Sequence, residues 1–586
     1  MKQFQKYGVA AAVATVASGA AAQMMSPNET GDMAIVPYYT VNDGKNTGIH
    51  IINTTASTQV VKVRLRRGSD SKDALDFNLV MSPYDEWTAN IGAGGANGVV
   101  VNTNDNTCTV PAFPEGGAEM PDTYADGATE GYVEIIAMGQ PVDNPLSFIP
   151  AELQHLPLTA THVDGVPLSC DLVRENFYRV ASGDVLDPGV RGTHTSNVTS
   201  TGFCTGLAAP LTAVCSGFGA PTLGGEDQNT TVFGDSDDNA LKVSYFITDS
   251  DGGLEIGDNA VHITGFSDAP MMTNQELLNF GTTGELAYDP LNFELPNMAY
   301  GAWPSQTAAR NSGIGASSAS ITNGSMLDGA RDAMDADNII NDWASFSTDD
   351  GTVATDWVVT LPGQYTMNNP ICDVYEAYAL AGDACAYTTD TPAGAISAAA
   401  LDEDELPLTL ASTTTSNPLS GTSNLSIFDR EEALQNPQDP TVETDLGFSP
   451  GGSAGTPTGT FELLREVNVI TFNDASVLGS AALQDEENGL RFDVTVPDAD
   501  RGWADLAIEI DQAGLRWDVA CEATADGDVI DPNSATCVAS DGYGTFVAVG
   551  DPDNTAVIGF AAWERNFADQ AGNYGRMVEH STQGSR

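Results

Sequence analysis

The sequence predicts a mainly β protein: an N-terminal immunoglobulin-like β-sandwich followed by a larger β-rich region with few short helices and long loops. Three observations predict it. Apolar and polar residues alternate with a period of two through most of the chain, the signature of half-buried strands. Gly and Pro, 59 and 30 of the 586 residues, fall between the alternating runs as turn signals. Hydrophobic residues make up 41% and aromatics 8%, enough to pack cores.

The elements follow in chain order. Residues 1–22 read as a secretory signal peptide, with Lys2 and Lys6 ahead of a short apolar run and Ala20-Ala21-Ala22 at the cleavage site. The expected address is the cell surface or the extracellular space, with the periplasm as an alternative. No later stretch reaches the roughly 18 apolar residues of a spanning helix, so no membrane span is expected. Residues 23–103 form the immunoglobulin-like sandwich: Val61, Val63 and Leu65 oppose Lys62, Arg64 and Arg66, and Leu75, Phe77 and Leu79 oppose Asp76 and Asn78. Residues 104–586 continue as the larger β-rich region. Strands are expected at 132–138, 241–248, 260–266, 356–361, 466–472, 490–496, 506–511, 515–521, 545–549 and 557–563. A helix is expected over 325–343 from Met326, Ala330, Met334 and Ile340, with shorter ones at 170–177, 273–278 and 431–434. Segments 185–232 and 388–460 read as loop-rich insertions.

Charge and cysteines narrow the class. The chain has 81 acidic residues against 22 Lys and Arg, a net charge of −59. Such a field repels nucleic acid and anionic membrane, and keeps a protein dispersed in salt. The eight cysteines, Cys108, Cys170, Cys204, Cys215, Cys372, Cys385, Cys521 and Cys537, include no CxxC pair, so they read as disulfides rather than a thiolate metal site. Short separations favour 204 with 215, 372 with 385 and 521 with 537, leaving 108 with 170, one of about 105 connectivities.

Several strings resemble a known pattern. They include Gly31-Asp32, Tyr38-Tyr39, Ile52-Asn53-Thr54, Val61-Lys62-Val63-Arg64, Leu75-Asp76-Phe77-Asn78 and Ser82-Pro83-Tyr84-Asp85. Further on come Gly131-Tyr132-Val133-Glu134-Ile135-Ile136, Thr355-Asp356-Trp357-Val358-Val359-Thr360 and Val557-Ile558-Gly559-Phe560-Ala561-Ala562. Together they resemble an uncharacterised exported, cell-surface-type protein family of proteobacteria. The resemblance implies surface localisation and carries no activity or catalytic residue. Leu361-Pro362-Gly363 departs from it, where Phe-Pro-Thr-Lys is expected.

Chemistry is thinly marked. Gly447-Phe448-Ser449-Pro450-Gly451 matches the nucleophile-elbow spacing but lacks the preceding hydrophobic strand and following helix. The six histidines form no metal-ligand spacing. Asp235, Asp237, Asp249, Asp251 and Glu255 are candidate calcium ligands, since closely spaced acids in Gly turns can supply oxygens, although none matches the twelve-residue calcium loop. No cofactor is required. Lys62, Arg64, Arg66 and Arg67, with Lys45 and Lys72 nearby, concentrate positive charge and are expected to form a docking patch. Its partner would be another copy of the chain or an anionic cell-surface polymer. The expected function is therefore a non-enzymatic surface, matrix or adhesion protein capable of self-assembly. The alternative is a secreted carboxylate-dependent hydrolase acting on polysaccharide.

Overall fold

The described residues form two β-sandwiches joined through a shared wall. The computed structural model describes residues 24–69, 73–94, 98–120, 127–141, 162–167, 233–249, 253–267, 333–362, 421–430, 459–463, 465–473, 475–483, 488–496, 499–510, 556–568 and 573–583, with isolated residues and short strands besides. The chain is mainly β, as its alternation predicts.

Sheet 1 has eight strands. Across it run Met24–Met25, Val261–Thr264, Met33–Thr40, Glu130–Pro141, Gln59–Arg67, Asp73–Met81 and Cys108–Val110, with Phe233–Gly234 also on Glu130–Pro141. Sheet 2 has six: Leu254–Asn259, Leu241–Asp249, Lys45–Asn53, Glu86–Ala93, Val99–Asn102 and Ala118–Glu119. Their inner faces meet in one core, where the rings of Phe77 and Trp87 lie 5.6 Å apart. This sandwich does not close at residue 103. Glu130–Pro141 pairs with both Met33–Thr40 and Gln59–Arg67 in the middle of sheet 1, and Leu241–Asp249 pairs with Lys45–Asn53 in sheet 2. Its strand count also exceeds the seven to nine of an immunoglobulin domain.

The second sandwich is built from residues after 333. Sheet 3 orders Ser449–Pro450, Gly459–Leu463, Gly421–Asp429, Arg501–Ile510, Asn338–Ala344 and Ser581–Gln583, with Leu434–Gln435 on Gly421–Asp429. Sheet 4 orders Arg491–Val494, Val467–Phe472, Gly351–Thr360, Ile558–Phe567 and Tyr574–Glu579, with Phe346–Thr348 on Gly351–Thr360. Trp343 stacks on Phe472 at 5.1 Å in the core between them. Two expectations fail here. The end of the expected 325–343 helix is the strand Asn338–Ala344, whose buried Ile339, Asn341 and Trp343 alternate against Arg501–Ala507 of the neighbouring strand. Leu278 likewise begins a strand, and Leu434 lies in a strand pair. The expected insertion 388–460 contains Gly421–Asp429, paired over nine residues with Arg501–Ile510; its buried Leu425 and Ile427 alternate with polar residues that read as loop. The segment 185–232 lies outside the described residues.

Sheet 4 is buried on both faces. Trp357, Val359, Ile470, Phe472 and Ala561 face sheet 3. Val358, Val467, Val469, Ile558, Phe560 and Ala562 belong to the core of the first sandwich. All six residues of Val467–Phe472 are buried, with Asn468 and Thr471 hydrogen-bonded within the fold, as a strand of a sheet covered on both sides requires. A polar clasp completes the joint. Asp356 accepts hydrogen bonds from Thr471 Oγ1 (2.6 Å), Ser476 Oγ (3.0 Å) and the backbone N–H groups of Val477 and Leu478 (both 2.8 Å). Two residues on, Ser480 Oγ donates to Glu130 of the first sandwich (3.0 Å), which also receives the Tyr38 hydroxyl (2.6 Å). Between the two acids lies Gly479 at φ +69°, where a Cβ would strike the Asp43 carboxylate. The clasp segment thus ties a carboxylate of each sandwich into one hydrogen-bonded strap.

Candidate functional site: an arginine–aromatic cleft

The expected docking patch is not on the surface. Lys62, Arg64 and Arg66 are each 0% exposed, and Arg67 is half-buried. Alternation does turn them away from Val61, Val63 and Leu65, but that side of sheet 1 is buried too. The register supplies their counterions: Arg64 lies directly between Asp76 on one neighbouring strand and Glu134 on the other. Lys62 Nζ reaches Asp76 at 2.8 Å, Arg64 Nη2 reaches the same carboxylate at 3.5 Å, and Arg66 Nε reaches Glu134 at 3.1 Å. A chain pays heavily to desolvate such groups unless each is paired, so these cations serve the fold.

The calcium candidates do not converge. Asp235 and Asp237 precede the strand Leu241–Asp249, whereas Asp249 and Glu255 lie at its far end. At about 3.3 Å per residue, that nine-residue strand holds the two groups about 26 Å apart. Asp251 lies outside the described residues. Among the described residues, no three metal-capable side chains come together. Ser449 of the elbow-like motif sits in a two-residue edge strand beside Gly459 and Thr460, not between a strand and a helix. Cys108 and Cys170 are bonded, as the sequence pairing expects, and the other six cysteines lie outside the described residues.

Two raised carboxylates are parts of the fold, whereas the raised Glu579 and Glu564 line clefts. Burial pushes Asp32 up to about 7 even though it accepts from the N–H groups of Phe266 and Ser267. Burial likewise raises Asp356 against the pull of its hydrogen-bond donors. Both are 0% exposed, and neither lines a cleft.

Two clefts stand out among the described residues. One, of about 540 Å³, lies where the sandwiches meet and is lined by Tyr245, Asp335, Phe560, Glu579 and His580 among others. Its polar groups are largely committed. His580 donates through Nε2 to the Val358 carbonyl (2.9 Å), and its Nδ1 faces the Asn341 amide (3.1 Å), while burial holds its pKa down to about 4. The Tyr245 hydroxyl donates to Met577 Sδ. Glu579 is raised by burial.

The other cleft, of about 640 Å³, opens on the second sandwich and draws residues from sheets 3 and 4. Arg430, Arg501, Arg565 and Arg576 line it, four of the 22 basic residues of the chain. Strand alternation puts Trp563, Arg565 and Phe567 on one face of sheet 4. On the adjacent strand Arg576 pairs with Trp563 and Tyr574 with Arg565, so the two arginines are diagonal neighbours about 7–8 Å apart. Their guanidinium groups lie over rings: Arg565 over Phe567 at 4.6 Å and Arg576 over Trp563 at 4.9 Å. Across the cleft Arg501 lies over Phe346 at 5.2 Å, and Trp503 stacks on Phe428 at 4.2 Å. Cation–π attraction holds each guanidinium beside its ring, and its N–H groups are donors that suit an anion.

The electrostatics separate this set from the buried one. Arg576 stands 4.0 Å from Asp342, with the two side chains 53% and 66% exposed, a pair worth little in water. Among the described residues, the ion pair of Arg501 is with its neighbour Asp500. No described carboxylate lies within ion-pair distance of Arg430 or Arg565. In a protein of net charge −59, four arginines gathered beside Trp503, Trp563 and Tyr574, with Asp342, Asp429 and Glu564 the acids of the same lining, are an arrangement that suits an anionic ring-bearing ligand. No family model, no curated protein and no solved structure matches the chain.

Proposed function

We propose that this is an exported, non-enzymatic cell-surface, matrix or adhesion protein that holds an anionic partner in its arginine–aromatic cleft. The single observation behind the reading is the placement of Arg430, Arg501, Arg565 and Arg576 around one opening of an otherwise acidic molecule. The leader-like residues 1–22 and the resemblance to exported surface proteins support the address. Self-assembly through Lys62, Arg64 and Arg66 is withdrawn, because those side chains are buried and paired.

Cell fractionation tests the reading. The protein is expected on the outer surface, and the double substitution Arg565→Ser, Arg576→Ser is expected to release it into the medium. Unchanged surface retention of that variant would overturn the reading. The hydrolase alternative has one observation in its favour, the acids Asp335 and Glu579 lining the cleft between the sandwiches. Polysaccharide hydrolysis abolished by Glu579→Gln would establish it.

A further inference from the structure

We infer that the ligand of the arginine–aromatic cleft is an acidic polysaccharide whose sugar rings carry carboxylates; the inference rests on the docking reading above and names its partner. Three features select that chemistry. First, a guanidinium edge matches a carboxylate through two parallel N–H···O bonds, and Arg565 and Arg576, both exposed and each over a ring, supply two guanidinium groups from adjacent strands. Second, the aromatic groups are spread along the cleft, not gathered under one arginine. Trp563 and Trp503 come from opposite sheets and Tyr574 is 51% exposed, so a ligand with successive apolar ring faces can contact more than one.

Third, the cleft contains acids as well as cations. Asp342, 66% exposed, lines the opening opposite Arg576. A carboxylate there accepts hydrogen bonds from hydroxyl groups but repels a dense line of charge. Sugars offer many hydroxyls and one carboxylate per ring. Polyphosphates and nucleic acids offer closely spaced anions and meet repulsion from Asp342 and from the body of the molecule. An acidic segment of a second copy supplies carboxylates without stackable rings.

Calorimetry on the full chain with oligogalacturonate, its neutral methyl ester and inorganic polyphosphate as probes tests this. Oligogalacturonate is expected to bind, with at least tenfold weaker affinity for the methyl ester and for polyphosphate. Arg565→Ser with Arg576→Ser should weaken oligogalacturonate binding at least tenfold. Trp503→Ala should weaken it severalfold while leaving the dependence on salt unchanged, because it removes a ring and no charge. Trp fluorescence and melting temperature identify misfolded variants; Arg565→Lys, which keeps charge but loses the fork, is the second substitution and should bind at an intermediate level.

Equal binding of the ester, or stronger binding of polyphosphate, would overturn the inference. Arginine-dependent polyphosphate binding would leave the docking reading standing while removing the sugar. Sedimentation showing concentration-dependent self-association lost in the double variant would also overturn it, in favour of a second copy. Absence of binding by all three probes with arginine-dependent surface retention would refute the polysaccharide alone; loss of both would refute the docking reading as well.

Discussion

The molecule contains two groups of cations on β-strands, and they have opposite fates. Lys62, Arg64 and Arg66 occupy alternate positions of one strand and are sealed beneath the surface. Arg501, Arg565 and Arg576 belong to three strands of two sheets and remain 42% exposed, exposed and 53% exposed. What separates them is the cross-strand neighbour. Each buried cation has a carboxylate on the next strand, Asp76 or Glu134, within ion-pair reach. Opposite Arg576 and Arg565 stand Trp563 and Tyr574, and opposite Arg501 stands Ala344. Clustering along the chain therefore says little about whether charge reaches solvent; the residue opposite on the sheet decides it.

The largest test of this contrast is removal of a buried counterion. Asp76→Ala leaves Lys62 and Arg64 desolvated without their partner and should cost about 3–5 kcal/mol in urea unfolding. A loss below ~1 kcal/mol would mean that the face is hydrated. Next comes the clasp that fastens the two sandwiches. Asp356→Ala strands four buried donors and should cost about 2–3 kcal/mol, with calorimetric melting broadened or split as the halves uncouple. A single sharp transition of unchanged midpoint would show that the apolar joint alone suffices.

Acidity sharpens the comparison further, with opposite signs from different groups. Burial lowers His262 and His580 from 6.5 to about 4, so the unfolded chain takes up protons there before the folded one does. Their stabilisation is complete above pH 6.5 and is lost as pH falls through 4. Asp32 is raised from 3.8 to about 7, so the folded form keeps a proton that the unfolded chain has released. Its contribution is complete below pH 3.8 and is lost as pH rises through 7. The histidines therefore lower melting temperature as pH falls from 6.5 towards 4, and Asp32 lowers it as pH rises towards 7, with the raised Asp356 and Glu579 acting in the same sense as Asp32. Relative to the parent, His580→Gln should lessen the loss on the acid side, and Asp32→Asn should lessen the loss towards pH 7. A variant profile identical to that of the parent would reject the corresponding assignment.

The smallest expected effect on stability comes from the cleft. Arg565→Ser and Arg576→Ser should each shift unfolding by less than ~0.5 kcal/mol, since exposed arginines with weak or no ion pairs contribute little. A shift comparable to that of Asp76→Ala would place these arginines in the framework and sink the contrast.

Much of the fold is readable in alternation. Val61, Val63 and Leu65 mark their strand, and the expected 241–248, 466–472 and 557–563 fall on Leu241–Asp249, Val467–Phe472 and Ile558–Phe567. Alternation failed where apolar residues were sparse: Ser423, Asn424 and Ser426 masked the strand around Leu425 and Ile427, and Met334 with Ile340 gave a helical spacing to a segment that pairs as strand. The cleft was missed because its arginines are dispersed between Arg430 and Arg576 and meet only through sheet pairing. A local signal did exist. Trp563, Arg565 and Phe567 alternate cation with aromatic on one face, which a core strand would not do.

Sheet 4, covered on both sides, also sets a timetable. A ribosome delivers the first sandwich unfinished until the strand Val261–Thr264 has emerged, because that strand and Leu241–Asp249 complete its two sheets. Even then its apolar end lies bare until Gly351–Thr360, Val467–Phe472 and Ile558–Phe567 arrive to cap it. The last of these follows Val261–Thr264 only after about 290 further residues. Over that interval the nascent first sandwich carries an apolar surface that its own residues do not cover.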